Sequence, residues 1–96
     1  MIDRTYVHEV ENTISGFDPA GANRYFLFGS ATRSDRFGDI DLGVLGNKAS
    51  HKKLSELRER FQDSILPYTV DIVDFDEADA DFRDYVLKNE QVVWMN

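Results

Sequence analysis

A chain of 96 residues with a formal charge of −7 has room for one domain, one modest core and one site. Its acidic balance argues against direct nucleic-acid binding, which needs a basic face to displace counterions, and the lack of cysteine excludes disulfides and thiolate metal sites. No stretch approaches the ~20 apolar residues of a membrane span, and Met1 to Val10 carries Asp3, Arg4, His8 and Glu9 where a leader would be apolar, so the expectation is a single cytoplasmic domain over 1–96.

Residues 4–16 place Val7, Val10, Ile14 and Phe17 at helical spacing, which predicts a helix with one buried stripe. Phe17 to Gly21 is a loop by its Pro19 and Gly21. Tyr25-Phe26-Leu27-Phe28 reads as a short apolar strand stopped by Gly29-Ser30, with a polar, irregular stretch after it. Asp39 to Leu45 is a second strand, with Ile40, Leu42 and Val44 on one face and Asp39 and Asp41 on the other. A helix follows over 49–64, with Leu54, Leu57, Phe61 and Ile65 as its buried side and Pro67 as its stop. Thr69 to Phe75 is a third strand. Residues 77–89 form a last helix with Ala78, Phe82, Tyr85 and Val86 as core candidates, and Gln91 to Trp94 a closing edge strand. The sum is an α+β, α/β-like fold in the order α-β-α-β-α-β: a mixed sheet backed by helices.

Aspartate is depleted in strands, yet Asp39 and Asp41 sit two apart in the middle of an apolar one. Their Cβ atoms fall about 6.5–7 Å apart on one face, where two charges repel by roughly 2–3 kcal/mol at an effective dielectric of 20. A cation between them removes that cost. Asp71 repeats the pattern between Val70 and Ile72. If its strand lies beside the second, all three carboxylates face one point and make an all-oxygen site suited to Mg²⁺ or Mn²⁺. The competing reading is a sheet with one solvated face. Asp74 falls on the opposite face from Asp71, and we assign Asp74 and Asp76 to strand-end or capping roles, the competing reading being Asp74 as the ligand instead.

Gly29 permits a sharp turn and close approach of a ligand to the backbone. The amides beyond it and the Ser30 hydroxyl can donate to an anion, and Arg33 and Arg36 can neutralise phosphate. The competing reading makes both arginines surface charge. We assign His8 and His51 to surface or packing roles, Trp94 to packing, and Lys48, Lys52 and Lys53 to a solvated face.

In combination, Phe28-Gly29-Ser30, Asp39-Ile40-Asp41-Leu42 and Val70-Asp71-Ile72-Val73-Asp74 resemble the signature of the polymerase-β-type nucleotidyltransferase superfamily, in its minimal single-domain (MNT) branch. The likeness runs from about Tyr25 to the C-terminus. It implies that Gly29 and Ser30 bind nucleotide phosphates, that Asp39 and Asp41 hold the metal, and that Asp71 assists the acceptor hydroxyl as a general base and helps hold a metal. The sequence departs from the family pattern at Gly38, where a serine is usual, at Ser34, where a second glycine is usual, and in a shorter spacer between Ser30 and Asp39. The resemblance further implies an antitoxin like MntA of the HEPN/MNT modules, which moves AMP from ATP onto a tyrosine of a HEPN-domain toxin. Two alternatives stand beside it: a non-catalytic partner with a vestigial nucleotide site, and transfer to a small molecule. The sequence leaves self-association open.

Overall fold

The computed structural model describes residues 2–34, 38–46 and 51–96. Helix α1 spans Arg4–Phe17 and starts where the Asp3 carboxylate accepts from the Thr5 amide, the usual way a helix start satisfies a free N–H. Strand β1 is Arg24–Phe28, followed by a 3-10 turn over Gly29–Thr32. Strand β2 is Asp39–Leu45, helix α2 His51–Gln62, strand β3 Thr69–Asp74, helix α3 Ala80–Asn89 and strand β4 Val93–Trp94. The strands form one mixed sheet in the order β3-β2-β1-β4. β2 runs parallel to β3, while β1 is antiparallel to both β2 and β4.

Alternation divides the sheet into two unequal faces. Tyr25, Leu27, Ile40, Leu42, Val44 and Val70 point to the face covered by α1 and α2, where Val10, Ile14, Leu54, Leu57 and Phe61 complete the main core. Burying each large side chain there contributes about 1.5–3 kcal/mol. The other face carries a smaller cluster of Phe26, Phe28, Phe75 and Val86, with Leu45, Val73, Leu87 and Val92 against it. Gly43 makes that cluster possible. A Cβ there would stand 2.3 Å from the Phe26 ring, so the glycine lets the ring lie across β2.

Several sequence expectations change in the folded chain. Ile65 is 72% exposed, because α2 ends at Gln62 and the Ser64 hydroxyl caps the Phe61 carbonyl at 2.6 Å before Ile65 can join the helical stripe. Phe82 and Tyr85 are exposed too, and only Val86 of α3 is fully buried. The helix begins at Ala80, later than its apolar spacing suggests. Asp79 caps it by accepting from the Asp81 and Phe82 amides, and a turn on the Asp74 carbonyl takes up Glu77 and Ala78. Asp74 and Asp76 do act at the strand end. Asp74 accepts from the Asp76 amide, and Asp76 accepts from the Gly46 amide, tying the ends of β2 and β3 together. Trp94 packs on Phe26 with ring centroids 5.0 Å apart and takes the Arg24 guanidinium over its face at 4.4 Å. His8 is exposed beside Glu11. Arg36, Lys48 and the side chains of His51 and Lys52 lie outside the described residues.

Candidate functional site

The open part of the smaller face holds the carboxylates. Phe28 pairs with Asp41, and Asp41 pairs with Asp71, so the three residues form one row across β1, β2 and β3. Residues that pair across a ladder point to the same face, so Asp41 and Asp71 stand side by side about 4.8 Å apart, one strand spacing. Asp39 pairs with Thr69, one row outward on that face. The condition set by the sequence, that β2 and β3 be neighbours, is met.

The phosphate-binding candidate meets the same row. Phe28 ends β1, and Gly29 turns the chain with φ +75°, a left-handed conformation open to glycine at little cost. Its missing side chain also leaves the space that Asp41 occupies: a Cβ on Gly29 would lie 2.3 Å from Asp41 Oδ2. Gly29 therefore serves the turn and the carboxylate at once. The Ser30 carbonyl accepts from the amides of Arg33 and Ser34. The buried Thr32 hydroxyl donates to the Gly29 carbonyl at 2.8 Å and closes the turn on itself.

Charge accumulates around Asp41. Burial pushes its pKa above the ordinary carboxylate value, and the negative charges of Asp71, Asp39 and Glu90 push it further. Asp39 and Asp71 thus lie near enough for their charges to act on Asp41. Among the described residues, however, no three His, Asp or Glu side chains close on one point tightly enough to hold an ion by themselves. Asp39 lies about 6.5–7 Å from Asp41 along its strand, and mutual repulsion opposes a closer approach until a cation offsets it. The donor set, all carboxylate oxygen beside a turn shaped around one of them, fits a hard divalent cation that keeps waters and phosphate oxygens in its remaining positions.

Glu90 is the participant that sequence reading missed. It caps the end of α3, and nothing in its local spacing marks it. In the fold its carboxylate accepts from Arg33 Nη1 at 3.1 Å, so the arginine expected at the phosphates is tied to a residue from the far end of the chain.

Comparison with known proteins bears on the family and the fold. The family described as "Polymerase beta, Nucleotidyltransferase" matches residues 20–96. No curated protein matches the chain. Among solved structures, one described as the toxin-antitoxin MntA-HpeT, in a mutant with two aspartates two positions apart changed to glutamate, superposes with a TM-score of 0.64 at 23% identity. The match covers 88% of this chain and 71% of that one. A likeness at that identity speaks to the fold alone, which among the described residues of this chain is a four-stranded mixed sheet with three α-helices. The family match spans most of the sequence and takes in the glycine turn and Asp39, Asp41 and Asp71, and the chain thus belongs to the polymerase β nucleotidyltransferase family.

Proposed function

We propose that this domain transfers a nucleoside monophosphate, AMP from ATP, onto a hydroxyl of a partner protein, and that the partner is a HEPN-type toxin for which the domain is the antitoxin. The observation that carries the chemistry is the shared space of Gly29, Asp41 and Asp71: a phosphate turn whose glycine makes room for one carboxylate that is paired across the sheet with a second. The partner reading draws support from the similar solved structure, a component of a toxin-antitoxin pair.

In this reading Asp39 and Asp41 hold Mg²⁺ or Mn²⁺, with Asp71 beside them. The ion supplies Lewis-acid charge to the phosphate oxygens. Ser30 and the adjacent amides orient the outer phosphates, and Arg33 offsets their charge. Asp71 takes up or orients the proton of the attacking hydroxyl. The acceptor oxygen bonds to the α-phosphorus as the bond to the bridging oxygen breaks, and pyrophosphate leaves. Positioning and charge neutralisation supply most of the rate.

The test is incubation with α-labelled ATP, Mg²⁺ and the product of the adjacent gene. Label on the partner that disappears with Asp39→Ala and Asp41→Ala supports the assignment; label that persists in those variants overturns it. One observation favours a second reading, a partner-masking protein with a vestigial nucleotide site: Arg33 is engaged by Glu90. A melting temperature that stays unchanged with Mg²⁺ and ATP favours that alternative, since a ligand specific for the folded state raises it.

A further inference from the structure

The contact between Arg33 and Glu90 joins two parts of the chain that have no sequence proximity. Arg33 follows the phosphate turn directly, and its amide is bonded to the Ser30 carbonyl. Glu90 ends α3, just before the closing strand. Their ion pair measures 3.1 Å, with the Glu90 side chain largely covered at 19% exposure and Arg33 half-exposed at 54%. The Thr32 hydroxyl, whose single hydrogen goes to the Gly29 carbonyl at 2.8 Å, also lies 3.4 Å from the Gln91 carbonyl, a weaker contact between the same two segments. The junction of α3 and β4 is thus clamped against the phosphate turn.

Glu90 is also close enough to the carboxylate row for its charge to act on Asp41. The Arg33 guanidinium is held against Glu90, and Arg33 directly follows the turn that abuts Asp41. Glu90 engages Nη1. A guanidinium has five N–H donors in a rigid fork, so fixing one nitrogen orients the rest without exhausting them. A free arginine side chain would have to surrender about 2 kcal/mol of rotamer entropy on meeting a ligand, and a pre-placed one has lost much of it already.

We propose that Glu90 is a positioning residue that holds the Arg33 guanidinium beside the phosphate turn, ready for the outer phosphates of a nucleoside triphosphate, and so sets the affinity for nucleotide. The proposal rests on the nucleotidyltransferase reading of the site. Two effects of Glu90 oppose each other and can be separated. Its negative charge repels a triphosphate, and its grip on Arg33 attracts one. Glu90→Gln removes the charge and keeps an acceptor oxygen for Arg33, whereas Glu90→Ala removes both.

The experiment measures Mg·ATP affinity by titration calorimetry, together with KM and kcat for transfer, in Glu90→Ala, Glu90→Gln, Arg33→Ala and the Glu90→Ala/Arg33→Ala pair. If Glu90 positions Arg33, Glu90→Ala weakens binding and raises KM about tenfold, the scale of one charge-assisted hydrogen bond, while kcat changes by less than about twofold. Glu90→Gln recovers most of that loss. The double variant binds no more weakly than Arg33→Ala alone, because Glu90 acts through Arg33. If Glu90→Ala and Glu90→Gln both bind Mg·ATP as tightly as the parent chain, or more tightly, Glu90 is only a repelling charge and the proposal is overturned. Failure of the underlying reading has a different signature: the unaltered chain itself shows no Mg·ATP binding.

Discussion

Replacing Gly29 with alanine separates what this residue does for the fold from what it does for the site. At φ +75° an L-residue costs about 1–2 kcal/mol more than glycine. For a chain of this size that lowers the melting temperature by about 4–16 °C, at about 4–8 °C per kcal/mol. The site suffers more. The new Cβ would sit 2.3 Å from Asp41 Oδ2, against an ordinary contact of at least 3.4 Å, so the carboxylate must retreat by about 1 Å. A short side-chain end can move that far with little cost to stability, but a 1 Å displacement of a positioned group costs about 10²-fold in rate. Gly29→Ala should therefore remain folded in urea and thermal melts while nucleotide transfer falls about a hundredfold. An alanine variant with parental transfer rates refutes the claim that Asp41 and the turn share this space. A variant with a parental melting temperature refutes the conformational part.

Three further outcomes follow from the same geometry. Asp41 has its pKa raised by burial and by Asp71, Asp39 and Glu90, so its ionised form destabilises the fold: the stability it adds is present below the unfolded pKa and lost as pH rises through the folded value. Asp41→Asn should therefore melt above the parent at pH 7 without Mg²⁺, with the gap closing in acid, and its transfer activity should fall by more than the about 10–100-fold typical of an outer-shell metal partner. Asp18 shows the opposite sign. Burial raises its pKa, but the amides of Ala22 and Asn23 and the Tyr25 hydroxyl, each 2.9 Å away, hold it below the ordinary 3.8. Its contribution is present above the unfolded value and lost as pH falls through the folded one, so Asp18→Asn should cost about 2–3 kcal/mol near neutral pH in urea unfolding, a penalty that shrinks below about pH 4. Gly43→Ala drives a methyl into the buried Phe26 ring and should lower stability by about 1–3 kcal/mol. Urea midpoints should show part of that loss recovered by Phe26→Leu in the double variant, since the two residues share one space.

These predictions depend on the two faces of the sheet being unequal. Helices α1 and α2 cover one face fully, and its side chains can be replaced only at a packing cost. On the other face the aromatic cluster stops at Phe28, and the same row continues across β2 and β3 as Asp41 and Asp71. The proposed chemistry therefore sits at the margin of the sheet, on residues whose backbones are fixed by ladder pairing. Among the described residues of the proposed site, the turn after Phe28 and Glu90 are the parts made of non-strand backbone.

Local sequence determined the elements and one face of each. The helical spacing of Val10 and Ile14, and of Leu54, Leu57 and Phe61, depends only on backbone period, and so does the alternation that sets Asp39 and Asp41 opposite Ile40, Leu42 and Val44. The anomaly of aspartates inside apolar strands was equally legible, because the cost of placing like charges two residues apart is local. Tertiary structure alone decided the rest. That Asp71 stands beside Asp41 follows from parallel register between strands separated by a helix, which no short-range period encodes. The exposure of Ile65, Phe82 and Tyr85 follows from capping by Ser64 and Asp79, whose hydrogen bonds prevail over apolar spacing at helix ends. The arrival of Glu90 at Arg33 requires the whole chain to close on itself, so it belongs to the fold and to no segment of the sequence.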